Sequence, residues 1–303
     1  MRPQWTELPE AVKRAVEALV GGGGRVDACA DGFSPGFAVR VTRADGHRRF
    51  VKGIDADAWP HEVDAYRTEA RIGAALPPAV PAPRLRGVHD DGHWCVLAFD
   101  DVDGRSPGRP WTRLDIHRVV GAIGDLARTA TPAPVPLPAD HPRLGGWSDL
   151  AADPSRVSRL RRYEPEAAAD LRRLAGLERQ GLGAARGESL VHGDLYPHNI
   201  LLTGDRVVFV DWPHARRGSP VIDLVTFLSS VAADGLDPEP FLPEDAPETV
   251  TAIRPDDVTA ILAAHAGFLL AGGLAEPLPG LENITAAKLH LGLGAFRWLR
   301  TRL

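Results

Sequence analysis

Cysteine is scarce in this 303-residue sequence: only Cys29 and Cys95 occur, far apart and outside any metal-ligand spacing. That excludes a disulfide framework or a zinc site as the basis of the fold, and it fits a reducing compartment. A basic excess is also missing. With 35 basic against 40 acidic residues and a formal net charge of -5, nothing electrostatic calls for a nucleic-acid partner. No stretch offers the roughly 18 uncharged apolar residues of a membrane span. The leading MRPQWTELPEAVKRAV carries charges where a signal peptide would need an apolar core. The expectation is a cytoplasmic protein without membrane or nucleic-acid partners, a monomer or weak dimer. No internal repeat is visible. What is present, 44% hydrophobic and 25% charged residues, is the composition of a chain that folds by burying a core.

The organisation changes along the chain. Leu8, Val12, Ala15, Val16 and Leu19 stand at helical spacing before the Gly21 to Gly24 run. Strand-type segments follow at 25–30, 38–43 and 47–54, the last two joined by the Asp45-Gly46 turn. An amphipathic helix is predicted over 61–76 and ended by Pro77-Pro78, then strands over 84–89 and 93–99 around Asp90-Asp91-Gly92. Asp100 to Gly104 reads as a linker. Beyond it the patterns are helical over 112–129, Pro-rich over 131–142 and helical over 155–180. A β-type insertion at 189–192, 200–202 and 207–210 precedes helical patterns from Val221 to the end. The expectation is an α+β chain, with an N-terminal lobe over 1–103 and a mainly helical lobe over 104–303.

The most informative stretch is LVHGDLYPHNILLTGDRVVFVD, residues 190–211. Asp194 and Asn199 stand five apart in a loop, and Asp211 ends an apolar strand. Phosphoryl transfer needs a carboxylate to orient and deprotonate the attacking hydroxyl, and oxygen ligands to hold Mg²⁺ against phosphates. Asp194 suits the first role; Asn199 and Asp211 suit the second. The five-residue loop and the hairpin through Gly204-Asp205 are expected to bring the three groups together. Read structurally instead, Asp194 would be a strand cap and Asp211 a turn residue.

The run His192-Gly193-Asp194-Leu195-Tyr196-Pro197-His198-Asn199 matches HGDxxxxN, and on it the sequence resembles the aminoglycoside phosphotransferase and choline kinase-like family. That resemblance implies a protein-kinase-like fold of two lobes: a small antiparallel sheet with one main helix, and a larger helical lobe. It makes Asp194 the catalytic base and Asn199 and Asp211 the magnesium ligands, with His192 bracing the loop. Asp223 would accept hydrogen bonds from the catalytic-loop backbone, although a carboxylate favoured by a helix N-terminus explains it equally. A kinase-like third strand supplies a lysine to the nucleotide phosphates, and Lys52 is the one lysine in the sheet region. Its expected partner is Glu69, with Glu62 the alternative. The hairpin Asp31 to Phe37 stands where a Gly-rich loop would be, with two glycines only. Asp100 and Val102 in the linker would meet the purine of ATP or GTP. Trp212-Pro213-His214 departs from the Phe-Gly that follows the magnesium Asp in protein kinases.

The implied acceptor is a small molecule bearing a hydroxyl. Residues 234–257 carry Asp234, Asp237, Glu239, Glu244, Asp245, Glu248, Asp256 and Asp257 against a single Arg254. Facing a cleft, they would favour a cationic acceptor such as an aminoglycoside, which would make the protein an antibiotic-resistance enzyme; facing water, they form a solvated loop. Trp298 near the end reads as a packing residue or a border of the acceptor site. The competing readings are a kinase of a small metabolite (sugar, amino alcohol or nucleoside), a silent kinase fold serving as a binding module, and a metal-dependent hydrolase using His192, Asp194, Asp211 and His214.

Overall fold

The computed structural model describes residues 3–29, 34–243, 253–277 and 282–303. A 3₁₀ turn at Trp5–Glu7 leads into α1 (Glu10–Val20), β1 (Gly24–Ala28), β2 (Phe37–Arg43), β3 (Arg48–Asp55), α2 (Val63–Ala75), β4 (Leu85–Asp90) and β5 (Trp94–Asp100). The helices α3 (Arg113–Thr129), α4 (Trp147–Ala152), α5 (Pro154–Tyr163), α6 (Pro165–Ala169) and α7 (Leu171–Ala184) follow. Then come β6 (Ser189–Val191), β7 (Ile200–Leu202), β8 (Val207–Phe209), β9 (Arg216–Gly218), α8 (Val221–Ala233), α9 (Pro255–Gly273) and α10 (Glu282–Arg302). Two compact units result: residues 1–106 with 198–214, and residues 107–197 with 215–303.

In the first unit, five antiparallel strands pair in the order β1-β2-β3-β5-β4. Alternation along β2 buries Phe37, Val39 and Val41 against Val12, Val16 and Val20 of α1, which recur every four residues. The opposite face packs Ile54, Cys95, Leu97 and Phe99 under Val63 and Tyr66 of α2. Because side chains alternate along β3, Lys52 shares the α2 face with Phe50 and Ile54. Asp101 anchors the linker to the sheet by accepting from Arg40 (2.7 Å) and forming an ion pair with Arg48 (3.0 Å). The hairpin β7–β8 belongs to this unit too, with Ile200 opposite Phe209, and Arg105 bridges to Leu202.

The second unit is mainly helical. α9 packs against α7 and α10, and α10 against α8, whose Val221 to Val231 are all buried. The single helical segment expected over 155–180 is three helices. Pro154 and Pro165 each open one at its first turn, where a missing N–H costs nothing, and Asp153 caps the first by accepting from Ser155 and Arg156. The expected β insertion is also two separate ladders: β6 pairs with β9, a strand the sequence reading missed. Among the described residues no helix is long and apolar enough to cross a membrane.

Candidate functional site

Three of the expected site residues meet in the first unit. The Lys52 ammonium lies 2.6 Å from Glu69 and 2.6 Å from Asp211, and 5.4 Å from the centre of the Tyr66 ring. Glu69 is the partner and Glu62 is not: Glu62 sits at the N-cap of α2 with no ion pair among the described residues, whereas Glu69 falls on the buried face two turns on. Burial opposes the Lys52 charge, yet Asp211 and Glu69 outweigh it and raise the pKa, so the side chain stays an ammonium. Burial pushes Glu69 up to about 7, with Lys52 working the other way. The two carboxylates differ in access. Asp211 is 43% exposed and Glu69 only 5%, so Asp211 is the one open to a ligand.

Asp211 adopts φ +67°, a left-handed conformation that Asp and Asn tolerate better than most side chains. It follows directly on Val210, whose N–H donates to the Asn199 carbonyl at 3.0 Å. Asn199 and Asp211 therefore stand at one end of the same hairpin. A carboxylate and an amide oxygen are hard donors, and this set fits Mg²⁺. The part of the first hairpin that is described, Ser34 to Phe37, comes close to the Lys52 cluster. Ser34 Oγ lies 2.6 Å from the Tyr66 hydroxyl, and a Cβ on Gly36 would come 2.3 Å from the Gly53 carbonyl, so only glycine fits. Asp31, Gly32 and Phe33 lie outside the described residues. In the linker, the Asp100 carboxylate accepts from Arg86 and its N–H donates to Arg84, while the Val102 carbonyl accepts from Gly104.

The remaining site residues belong to the second unit. Asp223, in the first turn of α8, accepts from the His192 N–H (2.7 Å) and the Gly193 N–H (2.9 Å). Burial pushes its pKa up to about 7, against those two bonds. Gly193 has φ +76°, the conformation glycine allows without a steric cost, and the bend delivers Asp194. Asp194 is nearly buried and accepts from Arg143 Nη1 at 2.9 Å. Sequence reasoning missed Arg143, because it sits in an irregular Pro-rich segment with no periodicity to mark it. Below Asp194, Tyr196 stacks on His265, whose pKa burial lowers to about 4, so the imidazole is neutral.

The acidic stretch behaves as structure where it is described. Asp234 pairs with Arg109 (2.9 Å). Glu239 accepts from Arg302 (2.5 and 2.7 Å) and from the Trp298 indole (2.5 Å), so Trp298 is a buried packing residue. Asp237 accepts from the Glu239 N–H, and Asp256 and Asp257 occupy the first turn of α9, where the helix dipole favours them. Glu244, Asp245 and Glu248 lie outside the described residues.

These elements agree with what the chain is similar to. Over nearly its whole length it matches a spectinomycin phosphotransferase solved with ADP and spectinomycin (11% identity, 96% of this chain and 98% of that one, TM-score 0.64). It also matches the choline kinase LicA of Streptococcus pneumoniae (10% identity, 96% and 98%, TM-score 0.58). A third neighbour is a choline/ethanolamine kinase family protein of Mesorhizobium loti (19% identity, 96% and 94%, TM-score 0.57). At these identities the likeness shows the fold, which is the kinase-like α+β fold expected from the motif. Protein LicA of Haemophilus influenzae is 42% identical over 50 residues, which is 15% of this chain and 19% of that protein. The decisive match is the sequence profile of the Phosphotransferase enzyme family (APH), which covers residues 26–246, and the chain belongs to that family.

Proposed function

We propose that the protein transfers the γ-phosphate of ATP or GTP to a hydroxyl of a small molecule. The observation that carries this reading is the Lys52, Glu69 and Asp211 cluster in one unit, together with Asp194 held by a braced loop in the other. A permanently charged ammonium suits the α- and β-phosphates, and Glu69 holds it in place. Asn199 and Asp211 would hold Mg²⁺, which when bound offsets phosphate charge. Asp194 accepts the proton of the acceptor hydroxyl as its oxygen bonds to the γ-phosphorus; the bond to the bridging oxygen breaks and the nucleoside diphosphate leaves. Residues 1–103 act in this reading as the nucleotide lobe, with Asp100 and Val102 at the purine, and residues 104–303 as the catalytic and acceptor lobe. His192 and Asp223 support the loop. A cytoplasmic monomer or weak dimer remains the form proposed.

For the acceptor, the cationic, aminoglycoside-type molecule rests on the acidic stretch, and the engagement of Asp234 and Glu239 with Arg109 and Arg302 weakens that support. A metabolite acceptor stands beside it. The test is a screen of aminoglycosides, sugars, sugar acids, amino alcohols, choline and nucleosides for acceptor-dependent nucleotide consumption with Mg²⁺ present, run on the wild type and on Asp194→Asn. Wild-type turnover that the variant lacks, with nucleotide affinity kept within a few-fold, is expected. Turnover by Asp194→Asn at the wild-type rate would remove Asp194 as the base, and hydrolysis of substrates without nucleotide would favour the hydrolase reading.

A further inference from the structure

The surroundings of Asp194 are cationic. Arg143 reaches its carboxylate at 2.9 Å, and Arg143 and Lys288 both lie over the ring of Phe268, at 5.9 and 5.0 Å from its centre. Lys288 comes from α10, and its stem crosses α9 at Gly272, where an added Cβ would come 2.8 Å from its Cδ. His265, Phe268 and Gly272 fall on one side of α9, spaced by three and four residues, so that side faces the Asp194 loop and α10 together. Two cations therefore accompany one carboxylate. That carboxylate is already taken by Arg143, and among the described residues no carboxylate forms an ion pair with Lys288.

A half-buried ammonium without a counter-charge is costly, because it gives up hydration and receives only a ring face in exchange. Burial, and then Arg143, lower the Lys288 pKa, while Asp194 opposes them, so the three groups share one electrostatic neighbourhood. The composition sharpens the point. Of the 35 basic residues only Lys13, Lys52 and Lys288 are lysines; the rest are arginines. Lys13 pairs with Glu10 on the surface and Lys52 belongs to the nucleotide cluster. In a chain that uses arginine for nearly every cation, the remaining lysine stands near the catalytic loop, where a compact ammonium suits a point contact with an anion.

We infer that Arg143 and Lys288 form an anion-binding subsite for the acceptor, which carries a carboxylate or phosphate group near the hydroxyl that Asp194 deprotonates. The inference rests on the phosphotransfer reading and names the acceptor class for that site. An acceptor anion would draw on Lys288 directly and compete for Arg143, loosening the Arg143 hold on Asp194 as the hydroxyl arrives. The opposing explanation is that Lys288 only packs its stem on Phe268 and Gly272 and keeps its head in water.

The experiment uses acceptors matched in shape and differing in charge: gluconate, sorbitol and glucamine, and glycerate, glycerol, serinol and glycerol phosphate. They are assayed by nucleotide consumption with the full chain, and gluconate and glycerol phosphate are also titrated by calorimetry. The acidic members should be used with a kcat/KM about tenfold or more above their neutral and cationic counterparts, on the scale of one charge-assisted hydrogen bond. Comparing glycerate with glycerol phosphate tells a carboxylate site from a phosphate site. Lys288→Met keeps the stem and removes the charge. It should raise KM for the acid about tenfold, leave KM for the neutral member unchanged, keep or raise the melting temperature, and be rescued in part by Lys288→Arg. Equal or better use of glucamine or serinol, or a Lys288→Met effect identical for acid and neutral acceptors, would overturn the inference and leave phosphotransfer standing. Failure of every acceptor, whatever its charge, here and in the broad screen would instead count against phosphotransfer itself.

Discussion

Asp223 offers a sharp test of how the loop that carries Asp194 is held. Its carboxylate accepts two backbone N–H groups, from His192 at 2.7 Å and Gly193 at 2.9 Å, and the residue is 1% exposed. Leaving a buried donor unpaired costs about 1–3 kcal/mol, so Asp223→Ala should cost about 2–6 kcal/mol for the two. Asp223→Asn keeps one acceptor oxygen and should cost about half of that. The pH dependence follows from burial, which holds this carboxyl up near about 7 against an ordinary value of 3.8. A raised carboxyl stabilises the fold fully below its unfolded value, and the contribution is lost as pH rises through the folded one. The deficit of Asp223→Asn relative to wild type should therefore be larger at about pH 5 than at about pH 8. Denaturant titrations of both proteins across that range give the deficit, and hydrogen exchange at the His192 and Gly193 amides reports the bonds directly. Both variants should lose kcat while keeping nucleotide affinity within a few-fold. Full protection of both amides in Asp223→Ala would refute the bracing role, and a deficit that grows with pH would show that the two backbone bonds outweigh burial in setting the charge of this carboxyl.

Lys52→Met should destabilise the protein by about 3–5 kcal/mol, because it leaves buried Glu69 without its cation; adding Glu69→Gln should recover at least half of that. Additive losses in denaturant unfolding would show that the pair is not coupled. Asp211→Asn preserves the left-handed backbone and removes only the charge, so it should weaken Mg²⁺-dependent nucleotide binding about tenfold or more with little change in melting. Magnesium titrations indistinguishable from wild type would take Asp211 out of the metal site.

Much of the first unit was legible because its signals are local. Turn residues such as Asp45-Gly46 and Asp90-Asp91-Gly92 separate strands whose alternation is clean, and Pro77-Pro78 closes the helix that carries Glu69. The HGDxxxxN run singled out Asp194 and Asn199 as candidates by residue type alone. What stayed hidden depends on contacts between distant residues. Strand β9, Arg216–Gly218, is three polar or small residues with no alternation, and only pairing with β6 makes it a strand. The helices between 154 and 184 share one continuous periodicity that hides their breaks, although Pro154 and Pro165 were there to be weighed. Arg143 and Lys288 carry no sequence pattern, and their meeting near Asp194 comes from the packing of α10 on α9. The charges of 234–257 could be read as lining a cleft or as facing water, because sequence shows acidic residues but not the Arg109 and Arg302 that neutralise two of them.

The division of the chain bears on its synthesis. The first unit is built from residues 1–106 and 198–214, so the ribosome makes most of it, then 91 residues of the other unit, before supplying the hairpin that ends in Asp211. Lys52 and Asp211 are 159 positions apart. At translation speeds of about 5–20 residues per second, the lysine exists for roughly 8–30 s before its second carboxylate is made. Throughout that interval Glu69, made soon after Lys52, is the counter-ion available to it. The sealed carboxylate thus serves the nascent sheet as well as the finished one, letting the five strands close over a charged side chain before the rest of the protein exists.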